Sequence, residues 1–367
     1  MRIAYANAFY KMDNSGGGNA HVGQFIQNAA KLGHEIWSWS GNEHSAARKL
    51  GINYISLLRK MRTMDALYIR IERTPPSTCR WSLPPHRLLY AFPVVVWEFN
   101  TVPEYGLLRG QSITQVENAI RKFQRYGKGC DLAVCVSQAL ADYVKARLGI
   151  QRVAIIPNGS DPELFRPGLP PVKRLDLDPN SLQRVWIGSG DISWTDFDSL
   201  REAAWLLWER NMRNKVDFHL IGPDLTGVMG DMPPNVHYYG AERYERLPYW
   251  LSAMDVGLCL YKPGPWEYGS PLKLFDYMSS GLTVISTRQR QVNEIFNQLG
   301  QSDLLIPYND PHTLVDVLKN LANDRERIRE LGQASRKSVI DYYNWGRAVK
   351  DIMIEIETIL KEKGFCE

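Results

Sequence analysis

Short apolar, β-branched runs alternate along this chain with longer stretches whose apolar residues recur at helical spacing, and glycines punctuate the joins. That alternation predicts an α/β protein. Residues 2–6 read as a first strand, and a glycine loop through Ser15, Gly16, Gly17, Gly18 and Asn19 follows. Val22, Phe25, Ile26 and Ala29 then predict a helix over 20–32, stopped by Gly33. Further strands are predicted at 34–39, 64–71, 92–99, 130–137 and 152–156, with a helix over 138–148. Val94, Val95 and Val96 in succession imply burial on both faces, as in a parallel sheet.

After a proline-rich stretch of mixed charge at 167–180, which reads as a linker, the pattern starts again. A strand at 184–187 leads into a second glycine loop, Gly188, Ser189, Gly190 and Asp191, then a helix over 197–209 and strands at 216–221, 236–239 and 256–261. Strand, glycine loop, helix and strand in this order open a doubly wound domain, whose ligands lie at the carboxyl ends of its strands. Two such units predict two Rossmann-like domains facing across a cleft, residues 1–168 and 181–340. Residues 341–367 hold a helix over 345–361 with Trp345, Val349, Ile352, Ile356 and Leu360 on one stripe.

The most informative stretch is 267–287. Ser270 and Pro271 predict a helix start, a serine cap followed by a proline that needs no N–H, and the helix runs over 271–280 to Gly281 before a buried strand. The first turn of such a helix, with Lys273 on it, suits a phosphate. Asp276, one turn beyond Leu272, can accept hydrogen bonds from ribose hydroxyls, so the stretch reads as a nucleoside diphosphate site. An ordinary capped helix would carry the same residues. Glu98, Asn100, Thr101 and Glu104 cluster where the 92–99 strand ends, a second place for substrate groups.

Composition narrows the classes. The chain has 367 residues, 44% hydrophobic and 23% charged, with a formal charge of +4, too mild a surplus to argue for nucleic acid. Its five cysteines are scattered without metal-ligand spacing, which fits a reducing compartment. MRIAYANAFY lacks the apolar core of a signal peptide and no window approaches a membrane span, so a cytoplasmic protein is expected. Arg48, Lys49, Arg59, Lys60 and Arg62, interleaved with apolar residues, leave peripheral membrane contact open.

With these parts in order, the chain resembles retaining glycosyltransferases of the GT-B fold, family four. The resemblance rests on GGGNAHV, LGHEI, CVSQALADYV, IIPNGSDPELFRP and SPLKLFDYMSSGLTVI. It implies two domains closing on a nucleotide-diphosphate sugar held mainly by the second, with the last helix crossing back to the first. Asp276 stands in the place of the family's second motif glutamate, which holds the ribose, and Ser270, Pro271, Leu272 and Lys273 take the place of the loop and helix start on the diphosphate. Gly17 and Gly18 match the first-domain loop, and Ser189 and Gly190 join the donor site from the second. Three departures stand out. Tyr268, with Glu267 beside it, occupies the first motif glutamate's position, GSGDISWTD lacks the basic residue many relatives carry, with Thr195 in its place, and Asn100 replaces a first-domain histidine.

The expected reaction moves a sugar to an acceptor hydroxyl with retention. Lys273 and the helix N–H groups stabilise the leaving diphosphate, while Glu98, Asn100 and His21 are candidates for placing hydroxyls, although His21 also reads as an ordinary first-turn residue, and Glu267 would reach the first motif glutamate's place on the donor sugar through a one-residue shift. No metal and no cofactor beyond the donor are implied. The acceptor is a saccharide, a lipid-linked molecule or another hydroxyl compound, recognised by first-domain loops such as 73–89. A nucleotide-sugar epimerase would need an acid and base pair facing the sugar, and none stands out. A binding or partner subunit that has lost turnover is the other alternative, favoured by Tyr268 and the missing cation.

Overall fold

The computed structural model describes residues 1–6, 17–38, 46–49, 63–71, 92–173, 175, 177, 181–188, 194–209, 216–222, 225 and 230–365. Ser189, Gly190, most of the two glycine loops, most of the basic stretch at 48–62 and the 73–89 loop fall outside them.

Among the described residues the first domain has seven strands: β1 (Arg2–Ala6), β2 (Glu35–Ser38), β3 (Ala47–Lys49), β4 (Ala66–Ile71), β5 (Val94–Phe99), β6 (Leu132–Cys135) and β7 (Val153–Ile155). Their order is β3-β2-β1-β4-β5-β6-β7, with every pair parallel. The second domain carries β8 (Leu182–Ile187), β9 (Val216–Ile221), β10 (Val236–Tyr238), β11 (Val256–Cys259), β12 (Thr283–Thr287) and β13 (Leu305–Ile306). Their order, β10-β9-β8-β11-β12-β13, is again all parallel. Both sheets therefore reverse direction beside their first strand, which opens a crevice at the carboxyl ends.

Buried β-branched and aromatic side chains explain the central strands. All six residues of β5, VVVWEF, are buried, Glu98 included. The first helix begins at Gly17, earlier than the spacing of its apolar face predicts, and runs to Lys31. Among the described residues five α-helices add to the predicted set: Ile113–Tyr126, Leu247–Leu251, Arg290–Gln298, Pro311–Ala322 and Arg325–Asp341. The first has a reciprocal cap, in which the Ser112 side chain accepts from the Gln115 N–H and the Gln115 side chain accepts from the Ser112 N–H.

The last helix, Trp345–Glu362, packs on the first domain, its buried Trp345, Val349, Ile352, Ile356 and Leu360 joining Val22, Phe25 and Ile26 in one core. Lys363 Nζ lies 2.6 Å from Asp131 Oδ1, and Arg152 pairs with Glu362, fastening the far end. The chain crosses between domains where the Ser160 N–H donates to the Tyr343 carbonyl at 3.0 Å and the Trp345 N–H donates to the Ser160 carbonyl at 3.2 Å. Gly159 makes this crossing as close as it is, since a Cβ there would lie 2.6 Å from the Tyr343 oxygen. Gly159→Ala must push backbone from backbone, at a cost of about 1–3 kcal/mol. The expected result is a lower thermal midpoint in a melting scan, and an unchanged midpoint would mean that the two segments are not in contact.

Candidate active site

A cavity of about 400 Å³ lies between the two domains. Residues at the ends of strands from both sheets line it: Arg70 and Ile71 of β4, Asn100 beyond β5, Ile187 of β8, Ile221 of β9 and Tyr261 beyond β11. Tyr105 of the first domain and Trp194 of the second meet across it, ring centroids 5.6 Å apart.

The helix predicted over 271–280 spans Leu272–Ser279, one residue shorter at its start than predicted, and Pro271 occupies the cap position without a side-chain hydrogen bond. Ser270 does not cap it. Its Oγ instead accepts from the Asn158 N–H at 3.2 Å, and Asn158 Nδ2 donates to the Ser270 carbonyl at 2.7 Å. The serine side chain is thus drawn to the turn after β7 in the other domain. The first turn is left without a side-chain cap beside the cavity, where a ligand anion could take that role.

Lys273 lines the cavity with its Nζ 4.4 Å from the centroid of Trp186 and 5.8 Å from that of Tyr261. Burial draws its pKa down to about 8. Aromatic faces stabilise an ammonium only in part, so the site holds a cation that a phosphate would stabilise further. Asp276, 3% exposed, also lines the cavity. Its Oδ1 accepts from Ser160 Oγ at 2.6 Å and from the Tyr244 hydroxyl at 3.3 Å. Burial raises its pKa to about 7, although those two hydrogen bonds oppose the rise.

Gly18, Asn100, Ser270, Pro271 and Leu272 line the same cavity as Lys273 and Asp276. Gly17 is the first residue of its helix. Glu98 and Glu267 stand apart from the lining. Glu267 is the partner of the Tyr308 hydroxyl and of the Arg290 N–H at 3.3 Å. Tyr268 beside it turns to the first domain, its ring 5.4 Å from that of Tyr143 and its carbonyl accepting from Ser137 Oγ at 2.6 Å. Neither Glu267 nor Tyr268 lines the cavity. Thr195 is 2% exposed and bridges to Tyr261 through its backbone.

Glu98 sits behind Asn100, 1% exposed. It accepts from the Tyr68 hydroxyl and from Asn100 Nδ2, each at 2.8 Å, and His21 Nε2 lies 2.8 Å from its Oε1. Burial pushes its carboxyl up, but His21, Arg70 and Asn100 outweigh that and hold its pKa at about 2. His21 is pulled the other way, burial and Arg70 lowering its pKa.

Arg70, Asn158 and Tyr244 are cavity residues that the sequence reading passes over. A signal existed for Arg70, a cation near the carboxyl end of an otherwise apolar strand, ALYIRI. It supplies the cavity with a second positive group from the opposite domain. No local pattern marks Tyr244, which reaches Asp276 only through the fold.

The profile described as Glycosyltransferase Family 4 matches residues 15–164, and that described as Glycosyl transferases group 1 matches residues 183–324. A curated relative, TuaH of Bacillus subtilis strain 168, whose name assigns it to teichuronic acid biosynthesis as a glycosyltransferase, is 28% identical over 169 residues. That match takes in 43% of this chain and 40% of the relative's length. Sucrose-phosphate synthase of Thermosynechococcus elongatus superposes with a TM-score of 0.71 at 14% identity, over 99% of this chain and 100% of that one. A glycosyltransferase of Rickettsia africae gives 0.70 at 14% identity, over 98% of each chain. HepE of Anabaena, in complex with UDP and glucose, gives 0.65 at 13% identity, over 98% of this chain and 100% of that one. The fold is thus GT-B, and with its two halves matched in order by these two profiles, the chain belongs to the glycosyltransferases of the family-four type.

Proposed function

We propose that this protein transfers a sugar from a nucleoside diphosphate donor to an acceptor hydroxyl, with retention at the anomeric carbon. The observation that carries the reading is the convergence of Lys273, an uncapped helix start and Asp276 on one interdomain cavity. About 400 Å³ falls within the usual range of small-molecule sites.

In this reading the diphosphate lies at the start of the Leu272–Ser279 helix. Its oxygens accept from the first-turn N–H groups and from Lys273, which leaves the Trp186 face for a full anionic partner. Arg70 adds charge from the first domain. As the bond to the sugar breaks, negative charge grows on the β-phosphate, and donors already in place stabilise it without reorganisation. Asp276, steadied by Ser160 and Tyr244, takes the ribose hydroxyls. Asn100 faces the sugar. The acceptor hydroxyl enters on the leaving-group side, and the departing phosphate oxygen takes its proton, so that no enzyme nucleophile is needed. UDP is the first nucleotide to try, because HepE is held with UDP and with UDP-glucose. A saccharide or lipid-linked saccharide is the proposed acceptor. No helix among the described residues is long and apolar enough to cross a membrane.

Thermal shift against UDP, GDP, ADP, CDP and TDP tests the donor site, since a ligand of the folded state alone raises its midpoint. One diphosphate should stabilise the parent, and Lys273→Ala should weaken it about 10- to 100-fold, the loss of one charged phosphate contact. Failure of every diphosphate to shift the parent would sink the reading.

Asp276 supplies a second prediction. A carboxyl whose folded pKa is raised from about 4 to about 7 binds more protons in the folded state across that interval, so its contribution to stability is lost as pH rises through it. Asp276→Asn cannot ionise. In the unliganded protein it should melt above the parent at about pH 8, by up to ~4 kcal/mol, and within ~1 kcal/mol of it at about pH 4.5, while binding the diphosphate less well. Equal midpoints at both pH values would show that Asp276 is not strained by its burial.

A further inference from the structure

The cluster behind the cavity has a polarity. An asparagine carboxamide has two ends of similar size and opposite hydrogen-bonding sense, so an unrestrained Asn100 could offer a substrate either N–H donors or a carbonyl acceptor. Glu98 removes that choice. Its carboxylate only accepts, and it takes Asn100 Nδ2 at 2.8 Å. Asn100 lines the cavity, and the end of its carboxamide that Glu98 does not hold is the carbonyl oxygen.

We propose that Glu98 is a positioning residue for donor recognition: by accepting the Asn100 N–H group it turns the Asn100 carbonyl oxygen to the transferred sugar, where it takes a sugar hydroxyl. The inference rests on the donor site proposed above. Glu98 itself does not line the cavity and acts through Asn100. It is well suited to that work, because a carboxylate that stays ionised accepts more strongly than a neutral oxygen. Tyr68 holds Oε2 at 2.8 Å, and His21 faces Oε1 at the same distance. His21 is in turn braced edge-on by Trp345, ring centroids 4.7 Å apart, at the start of the helix that crosses between domains. Asn100 also stands in the right place for the sugar. Its backbone oxygen is 4.0 Å from the position of a Cβ on Gly269, the residue before the Ser270 and Pro271 turn into the donor helix. A ligand whose diphosphate sits at that helix start has its sugar as the next group out.

The test exploits the sharing of a proton. In Asn100→Asp, a protonated carboxyl can donate to Glu98 and present its carbonyl to the cavity, as the asparagine does. An ionised one faces the Glu98 carboxylate, and repulsion turns it away. Two carboxyls this close cannot both ionise readily, so one of them titrates far above its ordinary value. His21, Tyr68 and Arg70, the other titratable groups against the pair, are left unchanged. For UDP, GDP, ADP, CDP and TDP and their glucose conjugates, the affinity of the conjugate is divided by that of the bare diphosphate, and each variant is compared with the parent at the same pH. This cancels the titration of Lys273 and Asp276.

Asn100→Ala should lower the ratio about ten-fold at every pH, the loss of one hydrogen bond to a sugar hydroxyl. Asn100→Asp should match the parent at about pH 5.5 and fall to the alanine level or below by about pH 8.5. Adding Glu98→Gln should abolish that fall, because the second carboxylate is gone. A flat profile for Asn100→Asp, an unchanged ratio for Asn100→Ala, or a fall that survives Glu98→Gln would each overturn the proposal. Bare diphosphate binding separates the two levels. If it is lost from the parent, the donor site fails and this inference with it. If it persists while the ratios stay flat, only the role of Glu98 fails.

Discussion

Two buried contacts across the domain boundary hold the site together: Ser160 Oγ on Asp276 at 2.6 Å, and Asn158 on Ser270 through both its N–H and its side chain. They come from one turn after β7, and they meet the start and the middle of one eight-residue helix. The placement of the Leu272–Ser279 helix in the cleft therefore depends on the first domain as much as on its own sheet. Both sides of the contact are polar and desolvated, so opening the cleft would expose groups that water can satisfy. This is the kind of boundary that permits closure without making it irreversible.

The same burial explains why the unliganded site is under electrostatic tension. Lys273 and Asp276 are one turn apart, yet each is driven towards its neutral form by burial, with pKa values drawn to about 8 and about 7. Lys273 rests on aromatic faces and Asp276 on two hydroxyls, partners that compensate a charge incompletely. A ligand carrying phosphates at one end and hydroxyl donors nearby would relieve both. Stability given up at such positions is what a site keeps in reserve for its ligand.

Tyr268 shows how one residue changes the use of a loop. At the position where the family resemblance leads one to expect a carboxylate on the sugar, the side chain packs on Tyr143 and the backbone accepts from Ser137. The loop thus serves the contact between domains. Across the cleft, the cation absent from the second glycine stretch has a counterpart in Arg70, which enters from the first domain. The buried carboxylate of Glu98, out of place in a strand of valines and aromatics, is satisfied by three donors from separate elements.

Local periodicity carried the architecture. Repeated valines at 94–96, the stripe of the 345–361 helix and the glycines that end helices are each set by near neighbours in the chain, so the two parallel sheets could be read in advance. Lys273 and Asp276 could be singled out for the same reason, since helical spacing puts them one turn apart. Side-chain direction was another matter. Ser270 looks like a helix cap in one dimension, but a hydrogen bond from residue 158 claims it. Glu98 and Glu267 look like cavity carboxylates in the sequence, but neither lines the cavity, and His21, Tyr68 and Tyr308 are among their partners. Arg70 and Tyr244 enter the cavity from distant parts of the chain. The sequence by itself determined the central strands, the first helix of each domain, the last helix and the charges carried at their ends. Only the tertiary structure decided which of those charges share one cavity, because hydrogen bonds between residues more than a hundred positions apart choose where a side chain points.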